Sequence, residues 1–187
     1  MMAADVGKIA GVKRLILLRH AKSGDVSAAR DFDRRINARG RRGALRIGQW
    51  FADEAMGFDA VLASPALRVR QTIEAFEQGI GFAIAPVFEP RIYLASAATL
   101  LEVVQAADDG ADKLLLVGHN PGLEDLVLLL AGDKDVLRAE AEVKYPTATV
   151  AVLDCAVARW AEVGEGGATL SAFVRPRDLD PALGPDS

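Results

Sequence analysis

LILLRH, at residues 15–20, and KLLLVGHNPG, at residues 113–122, are the two stretches that decide the fold of this chain. Each is a short run of Leu, Val and Ile that stops at a histidine, and such runs are typical of buried parallel strands. His20 and His119 are the only two histidines in the sequence. Because ligands collect beyond the carboxyl ends of strands in open α/β sheets, we expect both imidazoles to face one crevice.

Strand and helix patterns alternate around these stretches through the first two thirds of the chain. We expect strands at 13–19, 59–64, 82–88 and 113–119, and helices at 38–56, 65–78, 99–107 and 122–132. The later stretches at 147–155, 159–164 and 168–176 have strand patterns. The alternation predicts an α/β fold, a three-layer sandwich with a mostly parallel central sheet, helices on both faces and the last strands at its edge.

Three junctions contain signals for the start of a helix. Asn37 is a suitable N-cap for the first helix, and Gly57 is expected to end that helix. Ser64–Pro65 and Asn120–Pro121 each place an N-capping side chain before a proline, the residue best tolerated at the first helical position. We therefore expect Ser64 and Asn120 to cap the two helices that follow them.

The size and composition of the chain are those of one soluble domain. It has 187 residues, of which 51% are hydrophobic and 26% charged. We expect one domain over residues 1–187, with a core at about 13–174, a short N-terminal leader and a frayed tail at 181–187. The apolar runs are shorter than the roughly 18 residues of a membrane span or are interrupted by charge, which favours a cytoplasmic protein without a membrane partner.

Net charge, cysteine content and glycine motifs argue against several classes of protein. The formal charge of −4 disfavours nucleic acid as the main partner. Cys155 is the only cysteine, so no intramolecular disulfide can form, and its strand setting predicts a buried structural thiol. No G-x-G-x-x-G follows a strand and no Walker motif occurs, so neither a dinucleotide nor a P-loop site is expected.

Arg19, His20, Arg68 and His119 are the candidate catalytic residues, and together they indicate phosphoryl chemistry. An arginine fork binds two phosphoryl oxygens and stays charged at any ordinary pH. Arg68 is expected one turn into the helix capped by Ser64, where its head can reach back to a helix end that favours anions. A neutral His20 can attack phosphorus to form a phosphohistidine that water then hydrolyses, while His119 donates a hydrogen bond to the transferring oxygens.

A resemblance to the histidine phosphatase superfamily, whose fold is phosphoglycerate mutase-like, is evident in LILLRHAKS, SPALRVRQT and VGHNPGLEDL and covers residues 13 to 174. With DFDRRINARG included, the chain is most similar to small bacterial phosphohistidine phosphatases of the SixA type. The resemblance implies a catalytic core of Arg19, His20, Arg68 and His119, with His20 phosphorylated during turnover. It also implies a phosphate-binding role for Ser23. No cofactor is expected, and the cationic residue set predicts no metal site.

Two departures from the relatives bear on the mechanism. Close relatives read D-R-P-L where this chain has residues 33–36, DRRI, so a stiffening proline is missing from the loop. The mutase-like branch has a glutamate general acid on an inserted segment for which this chain is too short, and Glu89 is the nearest candidate. A phosphohistidine substrate has less need of such an acid, because its imidazole can leave already protonated.

The resemblance favours a phosphohistidine on a signalling protein as the substrate. A small phosphate ester is the close alternative, and a mutase is disfavoured because it needs a covered pocket. The alternative from another class of protein is a phosphate-binding regulatory module that has kept the pocket but has lost catalytic turnover. The sequence leaves the oligomeric state open.

Two charged clusters each have more than one interpretation. Six arginines, Arg30, Arg34, Arg35, Arg39, Arg41 and Arg42, lie within thirteen residues. The interleaved Asp31 and Asp33 favour a solvated face, and the alternative is a patch that docks an acidic or phosphorylated protein. Asp108, Asp109 and Asp112 resemble a metal cluster at first sight, but their position at a turn favours solvation.

Overall fold

The computed structural model describes residues 11–24, 30–133 and 135–184. Within these ranges the strands are β1 (Lys13–Arg19), β2 (Ala60–Ala63), β3 (Val87–Phe88), β4 (Lys113–Gly118), β5 (Val150–Cys155) and β6 (Ala168–Val174). They form one sheet in the order β3-β2-β4-β1-β5-β6. The first four strands pair in parallel, whereas β5 is antiparallel to both β1 and β6. The predicted mostly parallel sheet, with the last strands at one edge, is confirmed.

Helices cover both faces of the sheet, as the alternating pattern predicts. They are α1 (Ala38–Asp53), α2 (Leu67–Ile80), α3 (Ala97–Gln105), α4 (Gly122–Leu130), α5 (Val136–Val143) and α6 (Pro176–Leu179). The α1 and α2 helices pack on one face, and α3, α4 and α5 pack on the other. In the described ranges, none of these helices has the length and apolar character needed to cross a bilayer.

Strand β1 is buried on both sides, which explains its unbroken apolar sequence. Leu15 and Leu17 belong to the core beneath α3 and α4, whereas Ile16 and Leu18 belong to the core beneath α1 and α2. Successive side chains of a strand point to opposite faces, so a strand between two helical layers needs an apolar residue at every position. The Leu and Ile run is therefore a direct consequence of the three-layer arrangement.

One of the three expected N-caps is present. Asn37 caps α1 by accepting a hydrogen bond from the backbone N–H of Gly40 at 2.8 Å. The helix ends at Asp53, before the expected Gly57, because the backbone at Ala55 turns into the left-handed region with φ +48°. At the second junction the N-cap position belongs to Ala66, and Ser64 lies outside the helix.

The third expected cap is also wrong. Pro121 occupies the N-cap position of α4, and no side chain caps the helix there. The amide of Asn120 is used elsewhere, because it donates to the carboxylate of Glu124 at 3.0 Å and to the backbone oxygen of Tyr145 at 3.2 Å. These two contacts thus take the Asn120 side chain that the sequence pattern assigns to helix capping.

The last third of the chain differs from the sequence pattern in three places. The stretch 159–164, expected as a strand, holds a 3₁₀ turn at Trp160–Glu162, because the indole is buried and its N–H donates to Ala111 O at 2.8 Å. Helix α5 was not expected. The tail expected to be frayed instead forms a 3₁₀ turn at Pro181–Leu183, which buries Leu183, and residues 185–187 lie outside the described residues.

The aspartates near the start of β4 have structural partners. Asp112 forms an ion pair with Lys13 at 3.0 Å, and Lys13 is buried at the start of β1. Asp109 accepts a hydrogen bond from the backbone N–H of Trp160 at 2.7 Å. The expectation that these carboxylates are merely solvated is therefore wrong for two of them. Cys155 is a buried free thiol, as expected from its strand setting.

We expect Gly79→Ala to destabilise the protein, because α1 and α2 cross in contact at Gly48 and Gly79. A Cβ on Gly79 would overlap the carbonyl oxygen of Leu45, which belongs to helix backbone and cannot move aside cheaply. Overpacking of this kind costs about 1–3 kcal/mol of unfolding free energy, measurable by denaturant titration. Gly57→Ala is the control, since a Cβ there meets nothing within 4 Å. Equal unfolding free energies for the two variants would contradict the prediction.

Candidate active site

The pairing of β1 with β4 brings the two histidines together. Arg19 lies opposite Gly118 in the parallel register, and each histidine directly follows the last residue of its strand. The backbone N–H of His20 donates to Gly118 O at 3.0 Å. As a result, the imidazole centroids of His20 and His119 are 5.2 Å apart.

The hydrogen bond of the His20 ring determines which nitrogen holds its proton. Nδ1 lies 2.8 Å from the carbonyl oxygen of Ala21, and a carbonyl oxygen only accepts. Nδ1 therefore bears the hydrogen, and in the neutral ring the lone pair lies on Nε2. Burial, with smaller contributions from the charges of Arg68, Arg19 and Arg34, lowers the pKa of His20 to about 4. The ring is neutral, and Nε2 is nucleophilic, throughout the neutral pH range.

Two arginines flank the histidines and are held by other groups. Arg19 donates through Nη1 to the backbone oxygen of Tyr145 at 2.7 Å. Arg68 has 3% exposed surface, and it donates through Nη1 to Asp31 O at 2.6 Å and through Nη2 to the Asp31 carboxylate at 3.0 Å. Each guanidinium is thereby anchored at one end, which limits the positions that its remaining N–H groups can take.

Ser64 lies within hydrogen-bond distance of the His119 ring, as the backbone oxygen of Ala21 does of the His20 ring. Its hydroxyl accepts a weak hydrogen bond from Ala66 N–H at 3.3 Å and lies 2.8 Å from Nε2 of His119. Burial, with help from the nearby charges of His20 and Arg68, lowers the pKa of His119 to about 3, so the ring is neutral. When the serine O–H donates to Nε2, the proton of the neutral ring lies on Nδ1.

Several polar atoms of these side chains are buried without a partner in the described part of the chain. They are Nε of Arg19, Nε of Arg68, Nδ1 of His119 and Oγ of Ser23. All four residues, together with His20, line a cavity of about 350 Å³. Buried donors are rarely left unpaired in native proteins. Nitrogen and hydroxyl donors gathered beside a nucleophilic imidazole fit a tetrahedral oxyanion.

Comparison with known proteins identifies the family of this chain. Residues 15–92 match the histidine phosphatase superfamily (branch 1). The chain is also 33% identical to the protein of Agrobacterium tumefaciens provisionally named phosphohistidine phosphatase SixA; the match covers 88% of this chain and 98% of that one, with a TM-score of 0.72. This chain belongs to the histidine phosphatase superfamily.

Two further relatives support the same assignment. The provisionally named SixA of Nakamurella multipartitia is 31% identical, with 89% of this chain and 98% of that chain covered and a TM-score of 0.75. Protein Rv1276c of Mycobacterium tuberculosis, for which no activity is named, is 38% identical over 164 residues, which cover 86% of this chain and 100% of that protein. The chain is thus a SixA-like histidine phosphatase, a hydrolase that removes phosphate groups.

Hydrogen bonds hold the described parts of the loop after β1, where this histidine phosphatase lacks the proline expected from the resemblance. Arg35, at the proline position, accepts a hydrogen bond through its backbone oxygen from Gly24 N–H at 3.1 Å. Ile36 N–H donates to the side chain of Gln71 at 3.0 Å, and Ser23 and Ile36 form a β-bridge. These contacts hold Ser23 in the cavity wall without the rigid ring of a proline at position 35.

Glu89, the candidate general acid, lies outside the described residues that line the cavity. Its carboxylate accepts two hydrogen bonds from the guanidinium of Arg91, both at 3.1 Å. The side-chain hydrogen bonds from Arg91 lower the pKa of Glu89, so the group is ionised at neutral pH. An ionised, ion-paired carboxylate at this place does not favour the expected acid role.

Asp31 lines the cavity, although sequence reasoning treated it as part of a solvated segment. Its carboxylate accepts from Tyr93 O–H at 2.7 Å as well as from Arg68. The tyrosine hydrogen bond, followed by the charge of Arg68, lowers the pKa of Asp31. No sequence periodicity signals such contacts, because they join a loop to residues 37 and 62 positions away.

The arginine-rich segment 30–42 divides into two groups. Arg34 lines the cavity and donates to Gly24 O at 3.2 Å, and Arg39 donates to Leu183 O at 3.0 Å. The other four, Arg30, Arg35, Arg41 and Arg42, are exposed. The first group is built into the fold, and docking by the exposed group stays a prediction.

We expect the two imidazoles to stay neutral well below the pH at which histidine usually titrates. The chain has two histidines, so two C2–H proton resonances report on them directly. Because the pKa values are lowered to about 4 and about 3, both resonances should hold their positions from pH 8 to pH 5.5. The urea-unfolded protein is the control and should titrate near 6.5. A midpoint between pH 6 and 7 in the folded protein would contradict this environment.

We expect Ser64→Ala to change the tautomer of His119. Without the serine O–H, Nε2 loses its donor, and the proton is free to move from Nδ1 to Nε2. Imidazole ¹⁵N shifts measure this directly, and Thr99→Ala, at a half-buried position that does not line the cavity, is the control. Loss of one oriented hydrogen bond should lower kcat by roughly ten- to a hundredfold. Unchanged ¹⁵N shifts in the Ser64 variant would show that the serine does not orient the ring.

Proposed function

We propose that this phosphatase hydrolyses phosphohistidine on a phosphorylated protein through a phosphohistidine formed on His20. The observation that supports the proposal most is the His20 tautomer. Its Nδ1–H is held by Ala21 O, which leaves Nε2 unprotonated beside the buried donors of Arg19, Arg68 and His119. A nucleophile and a set of oxyanion donors are the two requirements of phosphoryl transfer.

In the first step, the lone pair on Nε2 of His20 attacks phosphorus. The phosphorus–nitrogen bond of the substrate breaks, and its electron pair returns to the leaving ring nitrogen. When the other nitrogen of the substrate ring has a proton, the product is a neutral imidazole and no acid is required. Arg19, Arg68 and His119 donate to the oxygens of the phosphoryl group as it moves, where charge stabilisation contributes most.

In the second step, water attacks phosphorus and the bond to Nε2 of His20 breaks. The electron pair returns to Nε2, the water proton passes to solvent, and inorganic phosphate is released. The hydrogen bond from Nδ1 to Ala21 O serves this step too, because it keeps Nδ1 protonated while Nε2 leaves. His20 is therefore restored in the tautomer that attacks the next substrate.

The ionisation of the cavity carboxylate favours phosphohistidine over alkyl phosphate esters. Among the described residues that line the cavity, the carboxylic acid is Asp31, whose pKa is lowered. An alkoxide leaving group needs a proton from an acid that is still protonated at neutral pH, which an ionised Asp31 cannot provide, whereas an imidazole leaving group needs no such proton. The proteins of similar structure are provisionally named phosphohistidine phosphatases, in agreement with this choice.

The short connection beyond α2 favours a substrate attached to a protein. Only residues 81–86 separate α2 from β3, and there is no inserted element between them to cover the cavity. A side chain on a protein surface needs an open approach of this kind. The same feature disfavours transfer without loss to water, since that requires water to be excluded.

We expect turnover to depend steeply on the leaving group. A phosphohistidine peptide should react faster than p-nitrophenyl phosphate, and both much faster than an alkyl phosphate, because the site provides no proton to an alkoxide. His20→Ala should lower kcat by at least about a thousandfold and abolish the acid-labile, base-stable ³²P label on the enzyme. Glu89→Gln is the matched control and should leave the rates unchanged.

Other outcomes separate the alternative functions. Rapid turnover of small esters with an inert phosphohistidine peptide would show a small-molecule phosphatase. Phosphate binding without turnover of any substrate would show a regulatory module. A label that persists in His20→Ala would overturn the role of His20.

A further inference from the structure

A second cavity opens beside the catalytic one and is not used in the mechanism above. We call it the lateral cavity. It has a volume of about 240 Å³ and shares Arg19, Lys22 and Thr147 with the catalytic cavity. Its other walls come from the first two turns of α1, the segment before β5, and the end of the described chain. An extended molecule bound at His20 can therefore reach into it.

The walls of the lateral cavity are cationic. Six of the residues that line it are basic, namely Arg19, Lys22, Arg39, Lys144, Arg175 and Arg177, and none of the described lining residues is Asp or Glu. The whole chain has a formal charge of −4, so this collection of like charge is local. Converging cations repel one another, and an anion placed among them removes that cost.

The basic residues differ in how far their charge is already balanced. Arg175 pairs with Asp178 at 2.8 Å and with Glu140 at 2.9 Å, and Arg39 is bound to a backbone oxygen. Lys144 and Arg177 make no side-chain hydrogen bond or ion pair within the described ranges. These two residues do not line the catalytic cavity. They are the lateral cations most available to an added anion.

Small residues bring the floor of the lateral cavity close to the backbone. Gly40 and Gly43 of α1 face it, and a Cβ on Gly40 would overlap the carbonyl oxygen of Lys22. A Cβ on Gly43 would lie 3.5 Å from the Pro176 ring. The two glycines therefore let the Lys22 backbone and Pro176 approach α1 closely, which brings the basic residues of these segments to one cavity.

We propose that the lateral cavity is a second anion-binding subsite, which takes a carboxylate or phosphate carried by the same substrate whose phosphoryl group reacts at His20. The proposal rests on the proposed function for its statement that the two anions belong to one molecule. Arg19 lines both cavities, so it lies between the two anionic groups. In a protein substrate the second group is an Asp or Glu near the phosphohistidine, and in a small substrate it is a second phosphate.

The test compares wild type with the double variant Lys144→Gln/Arg177→Gln, which we call the lateral variant. The control, Lys113→Gln/Arg159→Gln, removes two exposed charges that line neither cavity and lie outside the arginine-rich segment 30–42. The substrates are phosphohistidine peptides with Asp or Asn beside the phosphohistidine. Wild type and control should prefer the Asp peptides by roughly five- to tenfold in kcat/KM, the effect of two partly exposed charge pairs. The lateral variant should lose this preference, with kcat/KM for p-nitrophenyl phosphate unchanged.

A second experiment measures binding alone and does not depend on catalytic turnover. Calorimetry compares wild-type binding of propane-1,3-bisphosphonate and propylphosphonate, and the bisphosphonate should bind roughly tenfold more tightly. The lateral variant should bind both alike. A preference seen only in kcat/KM for the Asp peptides indicates that the second anion belongs to a protein substrate. A preference seen only in the affinity for the bisphosphonate indicates that it belongs to a small molecule.

The proposal is overturned if neither arm shows a preference in wild type, or if the lateral variant keeps the preference. Its failure is distinct from failure of the proposed function. If wild type turns over none of the substrates but still binds the bisphosphonate more tightly than the monophosphonate, and the lateral variant does not, the proposed function is wrong and the second subsite is supported. A native proton spectrum and an unchanged melting temperature for the lateral variant confirm that it folds.

Discussion

The parallel register between β1 and β4 is the constraint on which the site depends. It sets Arg19 opposite Gly118, so the two histidines leave the sheet side by side with centroids 5.2 Å apart. Gly118 contributes through its small size, since a Cβ there would lie 3.1 Å from a methyl group of the buried Ile92. Because the backbone ladder fixes the spacing, the rings need no direct bond to each other, and each can use its hydrogen bonds to select a tautomer.

Burying two neutral imidazoles beside guanidinium groups has a consequence for stability. In the unfolded chain both histidines titrate near 6.5, whereas in the folded protein their pKa values are lowered to about 4 and about 3. Below pH 6.5 the unfolded state therefore binds more protons than the folded state, and stability falls as the pH falls towards 4. The environment that keeps Nε2 of His20 nucleophilic also makes the fold sensitive to acid.

Local pattern predicts β1 and β4 and their exits because those features depend on neighbouring residues, whereas the strands expected at 82–88 and 159–164 are reduced to Val87–Phe88 and replaced by a 3₁₀ turn. The Leu and Ile run of β1 follows from burial on both faces, and His20 and His119 were located by the rule that strand ends face the ligand site. The structure places Arg68 beside them although its helix begins after Ala66 and not at Ser64. Ser64 could not be assigned to His119 from sequence, since a capping hydroxyl and an orienting hydroxyl have the same local signature. The strand pattern around Trp160 is misleading because the position of this residue depends on hydrogen bonds to Asp109 and Ala111, about fifty positions away.

The contrast between the two cavities suggests how recognition is divided. Arg68 is enclosed and held by Asp31 and Tyr93, which orders its donors and, in the proposed function, limits the position of the phosphoryl group. Lys144 is exposed and unconstrained by hydrogen bonds in the described chain, so its attraction to an anion depends on charge and little on geometry. A held donor favours the transition state, because it loses no conformational entropy as charge develops, whereas a mobile cation contributes mainly to association. In the proposed function, Arg19 serves both cavities, whereas Lys144 and Arg177 serve the lateral cavity alone, so changes at these two residues alter selection of the substrate without altering the chemistry at His20.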